Sequence, residues 1–183
     1  MSRQVVQLLL DHNASVSPMD KDGGTPLHFA AMQGHNAVAL MLIEHAADIS
    51  AQNSEGMSPL HFTAFEGHVA LAALLLQHGA DMSATDNVGR TSLHFAALGG
   101  SEPAVIFLLH KGADDQWKTK GGKTPETLAT AKSHLAVADI LQAEALRRAQ
   151  CVSFAMGHHQ RLGAVSVLQE LDEGVLRMVL ERV

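Results

Sequence analysis

Apolar residues recur at helical spacing along most of the chain, interrupted at regular intervals by glycine and short polar runs. Leu27, Ala30 and Ala31 are three and four residues apart, which puts one apolar face on a short helix. A second set of helices is predicted over 38–45, 71–78 and 104–111, with Leu42, Leu75 and Leu108 among their inward positions. Leu8, Leu9 and Leu10 belong to a similar helix near the start. From 135 to about 156 the chain is rich in Ala and Leu and almost free of breakers, predicting a long helix ended by Gly157. After a linker at 158–163 come a short apolar segment, 165–171, and an amphipathic helix carrying Val175, Leu176, Met178, Val179 and Leu180.

The pattern repeats. Gly24-Thr25-Pro26-Leu27-His28-Phe29-Ala30-Ala31 returns as Met57-Ser58-Pro59-Leu60-His61-Phe62-Thr63-Ala64, and again as Arg90-Thr91-Ser92-Leu93-His94-Phe95-Ala96-Ala97. The offset is 33 residues each time, without insertion or deletion. A second signature keeps step: Ala46-Ala47-Asp48, Gly79-Ala80-Asp81 and Gly112-Ala113-Asp114.

These residues resemble the ankyrin repeat, whose period is 33 and whose motif reads Thr-Pro-Leu-His-x-Ala. The resemblance covers roughly residues 1–150, with full matches at 20–52, 53–85 and 86–118. A fourth unit at 119–150 is degenerate: it keeps Gly122 and Thr124-Pro125 but has Glu126-Thr127 where Leu-His belongs. Residues 1–19 match only the second half of a repeat, which points to a piece of a longer array rather than a truncated start. The implied fold is all-α, a solenoid of stacked helix–turn–helix units joined by hairpin loops. Residues 151–183 form a helical C-terminal extension or cap.

Each unit has a local physical logic. Thr25, Ser58, Thr91 and Thr124 sit where a hydroxyl caps the free N–H groups of the first helix. Pro26, Pro59 and Pro125 follow, where a missing N–H costs nothing. Gly34, Gly67 and Gly100 are expected to end that helix in the left-handed conformation. Gly79 and Gly112 do the same for the second helix, with Asn13 in the half repeat; Ala46 breaks this pattern, and if it is left-handed it is strained and Ala46→Gly should stabilise by roughly 1 kcal/mol.

Composition narrows the function. The chain is 46% hydrophobic and 17% charged, enough to bury a core. A net charge of −6 leaves no overall basic surplus for nucleic acid. There is no run of 18 apolar residues, so no membrane span is expected, and a single cysteine, Cys151, fits a cytoplasmic or nuclear setting. Twelve histidines invite a metal or catalytic reading. His28, His61 and His94 lie in the repeat motif, where the resemblance implies bonds to backbone and to the capping hydroxyl. His35, His68 and His134 follow the helix-ending position, and His12, His45 and His78 sit at second-helix ends, where partial positive charge suits the dipole. His158-His159 is the only unexplained pair, and adjacent side chains on a loop rarely bind metal without further ligands. Gly122-Lys123-Thr124 resembles the end of a phosphate loop, but Trp117 stands where its first glycine is required, so a hairpin tip before a capped helix is expected.

Ankyrin stacks usually bind partners on a concave surface made of the hairpin tips and the exposed side of each first helix. Carried over residue by residue, that surface comprises Met57, Arg90, Lys118, Lys120 and Lys123 on the tips, with Met32, Gln33, Phe65, Glu66, Leu98 and Lys132 on the helices. Met32, Phe65 and Leu98 share one repeat position, and a row of exposed apolar side chains there marks a protein interface. The competing reading is that they pack half-buried against the neighbouring hairpin. The four lysines of the last unit suit either an acidic partner segment or a solvated end face. Asn at the position that is hydroxylated in some ankyrin stacks is replaced by Ser50, Ser83 and Gln116, so that modification is not expected.

The function expected is a non-catalytic protein-protein interaction module or scaffold, without cofactor, metal or catalytic residues. The alternative is a substrate-recruiting adaptor of a cullin ubiquitin ligase working through residues 146–183. There Leu171-Asp172-x-x-Val175-Leu176 is similar to the start of an F-box, and 146–163 loosely resembles the suppressor-of-cytokine-signalling box.

Overall fold

The structure is a computed structural model describing residues 3–12 and 14–159, with the side chains of residues 4–12 and 14–150. Its described regular structure is helical, in the order α1 (Arg3–Asp11), α2 (Pro26–Met32), α3 (Asn36–Glu44), α4 (Pro59–Glu66), α5 (Val69–Gln77), α6 (Ser92–Gly99), α7 (Glu102–His110), α8 (Pro125–Ala131) and α9 (Leu135–His159). The chain divides into two compact units, Met1–Gln142 and Ala143–Val183.

Within the first unit the first helices stack in one row, α2 on α4 on α6 on α8, and the second helices in another, α1 on α3 on α5 on α7. The periodic leucines explain the stacking. Leu27, Leu60, Leu71, Leu75, Leu93 and Leu108 are all at most 1% exposed. Each is shared between neighbours: Leu27, Leu42, Leu60 and Leu75 fall in one core cluster, and Leu93, Leu108, Val137 and Leu141 in the next. Burial contributes about 1.5–3 kcal/mol per leucine. The hairpin tips add one main-chain bond per junction, Ser54 to Asp22, Asn87 to Glu55 and Lys120 to Val88, each 2.9 Å. Such a bond is worth about 1 kcal/mol net, so apolar burial dominates.

Histidine sets the register between units. The Thr25 N–H donates to His28 Nδ1 (3.1 Å) and the Thr25 hydroxyl lies 2.9 Å from it. The ring proton therefore sits on Nε2, which donates to the Met57 carbonyl in the next unit (2.9 Å). His94 repeats this with Thr91 and the Lys123 carbonyl (3.1 Å), whereas His61 caps with Ser58 and donates within its own unit to the Ala84 carbonyl (3.0 Å). Burial pushes all three imidazoles below their ordinary value, partly offset by these backbone bonds. A second staple runs the other way: His68 Nε2 donates to Met32 carbonyl (3.2 Å) and His134 to Leu98 carbonyl (3.1 Å). These rings explain the helix-ending glycines. Gly34 and Gly100 are left-handed, and a Cβ on them would lie 2.7 Å from the His68 ring and 2.6 Å from the His134 ring.

Ala46 has φ 62, so the expected strain is present, and Ser133 shares it at φ 63. His12 and His45 close their own helices, each Nδ1 lying 2.8 Å from a carbonyl four residues back. Two boundaries differ from expectation. The second helices begin at Asn36, Val69 and Glu102, two residues earlier, because the carbonyls of His35, His68 and Ser101 already accept helical bonds from Ala39, Ala72 and Val105. Gly157 does not end the last helix, which continues to His159; a lone helical glycine costs only about 1 kcal/mol. Asn13, the side chains of Cys151, His158 and His159, and the docking-box stretches beyond residue 159 lie outside the described residues.

Candidate protein-binding face

The stack turns sequence period into spatial rows. Because α2, α4, α6 and α8 pack side by side in register, positions 33 apart become neighbours. Met32, Phe65, Leu98 and Ala131 form one such row. Phe65 is 42% exposed, whereas Met32 and Leu98 are half-buried, so the row is open to solvent at Phe65 and partly covered on either side. The carbonyls of Met32 and Leu98 hold the His68 and His134 staples, which pins the backbone beneath the row.

A parallel row escaped sequence reasoning. Phe29, Phe62, Phe95 and Leu128 occupy the variable position of the motif, and exposure falls from Phe29 to Phe95. Phe29 is 48% exposed, Phe62 half-buried and Phe95 only 6% exposed. The covers are specific. The His28 ring meets Phe62 edge-on at 5.7 Å, and Phe95 lies against His61 at 5.0 Å with the Arg90 guanidinium 4.6 Å above its ring. The signal is three phenylalanines at one repeat position, between the inward-facing Leu and Ala of the motif.

Gln33, Glu66 and Lys132 are exposed and share a third row with Gly99. There α6 passes so close to α4 that a Cβ on Gly99 would collide with the Phe65 carbonyl. On the tips, Met57 is half-buried against the core and its carbonyl is taken by His28. Arg90 is committed within its own hairpin: its guanidinium holds the buried Asp86 carboxylate at 2.6 and 2.7 Å, which also accepts from the Val88 and Arg90 N–H groups. Lys118, Lys120, Lys123 and Lys132 are all exposed, with Lys120 Nζ 2.8 Å from the Asn87 carbonyl. Gly122, at φ 74, leads through Lys123 to the Thr124 cap, so the phosphate-loop look-alike is a hairpin tip. Among the described residues, no group of three or more His, Cys, Asp or Glu is placed to hold a metal, and no helix is long and apolar enough to cross a membrane.

A family profile described as ankyrin repeats (3 copies) matches residues 1–53 and again 48–119. With more than half of the chain matched and the stacked helical units in place, the chain belongs to the ankyrin-repeat family. Ankyrin repeats generally mediate protein-protein interaction and are typically non-catalytic. No curated protein matches the sequence.

Proposed function

We propose that this chain is a non-catalytic scaffold or recruiting module that holds a partner protein on the face formed by its first helices and hairpin tips. The observation that supports this is the apolar strip of Phe29, Met32, Phe65 and Leu98, with two phenylalanines over 40% exposed on a backbone pinned by histidine staples. Exposed aromatics on a rigid surface offer contact area at little entropic cost, which is what anchors interfaces. Gln33 and Glu66 form its polar edge. Nothing in the described residues favours the cullin-adaptor alternative.

The test is affinity purification from cells with the intact chain and a Phe29→Ser/Phe65→Glu variant. Both substituted residues are exposed, so circular dichroism should show an unchanged fold. The variant is expected to lose the proteins that the parent retains. A folded variant that keeps all of them would place binding elsewhere.

A further inference from the structure

The same face is electrically polar along the stack. The first tip carries exposed Asp20, Lys21 and Asp22, the second exposed Glu55, and α4 exposed Glu66, which leaves a net negative charge at that end. At the third tip Asp86 and Arg90 neutralise each other. Lys118, Lys120, Lys123 and Lys132, all exposed, crowd around the fourth unit. The apolar strip starts at the acidic end, with Phe29 in the first unit and Phe65 in the second, and runs through Leu98 toward the lysines. A chain whose net charge is −6 thus places four of its 13 Lys and Arg residues at one end of one face.

From this arrangement we infer the chemistry of the occupant: an extended, linear peptide segment of a partner protein, with an apolar anchor residue and a separate acidic cluster. The anchor sits on Phe29 and Phe65, and the acidic cluster on Lys120, Lys123 and Lys132. The inference rests on the reading of this face as the binding site, and adds direction and spacing to it. Packed helices lie about 10 Å apart, so Phe65 is about 20 Å and Phe29 about 30 Å from the corresponding position in the fourth unit. An extended chain advances about 3.3 Å per residue. The acidic cluster therefore falls about six to nine residues from the anchor. The reverse placement is opposed, because it brings acidic side chains onto Asp22, Glu55 and Glu66.

The experiment selects peptides from a random 16-residue display library with the full chain, then measures them by fluorescence anisotropy. Expected are peptides with an Asp/Glu cluster six to nine residues from a Leu, Met, Phe or Trp. Their affinity should fall at least tenfold with Lys120→Glu/Lys123→Glu/Lys132→Glu, and severalfold between about 50 and 300 mM NaCl as screening tightens. The salt series uses the unmodified chain, so it stands even where the triple variant loses its fold. Peptides lost with Phe29→Ser/Phe65→Glu but lacking that spacing, or insensitive to salt, overturn this inference and leave the binding face intact. Peptides indifferent to both variants overturn the face itself. If no peptide is enriched, an extended segment is not the occupant and the inference falls alone.

Discussion

Ala46 offers a clean test of how this stack ends its second helices. It occupies the repeat position held by Gly79 and Gly112, and like them it is left-handed, with φ 62 against 94 and 90. A left-handed backbone costs a non-glycine residue about 1–2 kcal/mol. Glycine returns part of that gain, because its unfolded state is freer by about 0.4–1 kcal/mol. Packing does not enter: Ala46 is exposed, and a Cβ on Gly79 or Gly112 meets nothing within 4 Å. Ala46→Gly should therefore stabilise by about 0.5–1 kcal/mol, and Gly79→Ala should destabilise by a similar amount. Urea unfolding of the full chain followed by circular dichroism at 222 nm measures both, with midpoints moving in opposite directions at constant slope. In a thermal scan each shift is about 2–4 °C per kcal/mol. If Ala46→Gly is neutral while Gly79→Ala is costly, the left-handed turn at Ala46 carries no strain and the argument fails.

The remaining predictions follow from packing and burial. Ser92 stands where Pro59 and Pro125 are buried in sister units, its hydroxyl is buried without a partner, and Thr91 is already extended as a residue before proline must be. Ser92→Pro should raise the urea stability by about 1–2 kcal/mol; a loss would mean that the α6 start does not tolerate the ring. Gly99→Ala should destabilise by about 1–3 kcal/mol through overpacking against the Phe65 carbonyl, despite the better helix propensity of alanine. An unchanged midpoint would show that α4 and α6 separate freely. The buried His28, His61 and His94 have folded values below the ordinary 6.5. As pH falls below about 6.5 the unfolded chain takes up protons that the folded chain refuses. Stability is thus complete above that pH and declines below it, at up to about 1.4 kcal/mol per pH unit for each histidine, until the folded values are reached. Urea midpoints that stay level between pH 7 and 5.5 would contradict this.

By itself the sequence determined the class of fold, because the information is local and repeated. A hydroxyl before proline, a glycine after seven or eight residues and leucines at helical spacing dictate each helix and its inward face without reference to distant chain. The strained Ala46 was legible for the same reason: its place in the period demands a conformation that its side chain resists. The structural address of His28, His61 and His94 came from the family motif, while their exact acceptors, in the next unit for His28 and His94 and in its own unit for His61, came only from the folded stack. What the tertiary structure decided is exposure. Met32, Phe65 and Leu98 look equivalent in the period, as do Phe29, Phe62 and Phe95, yet only Phe29 and Phe65 stand substantially open to solvent. The difference arises from neighbours that no local pattern encodes: His28 against Phe62, and His61 with Arg90 against Phe95. Arg90 shows the same limit, since only the folded hairpin brings its guanidinium onto the Asp86 carboxylate and the Phe95 ring together. Helix formation depends on adjacent residues, but which side chains remain uncovered depends on the unit stacked alongside, and that contact exists only after folding.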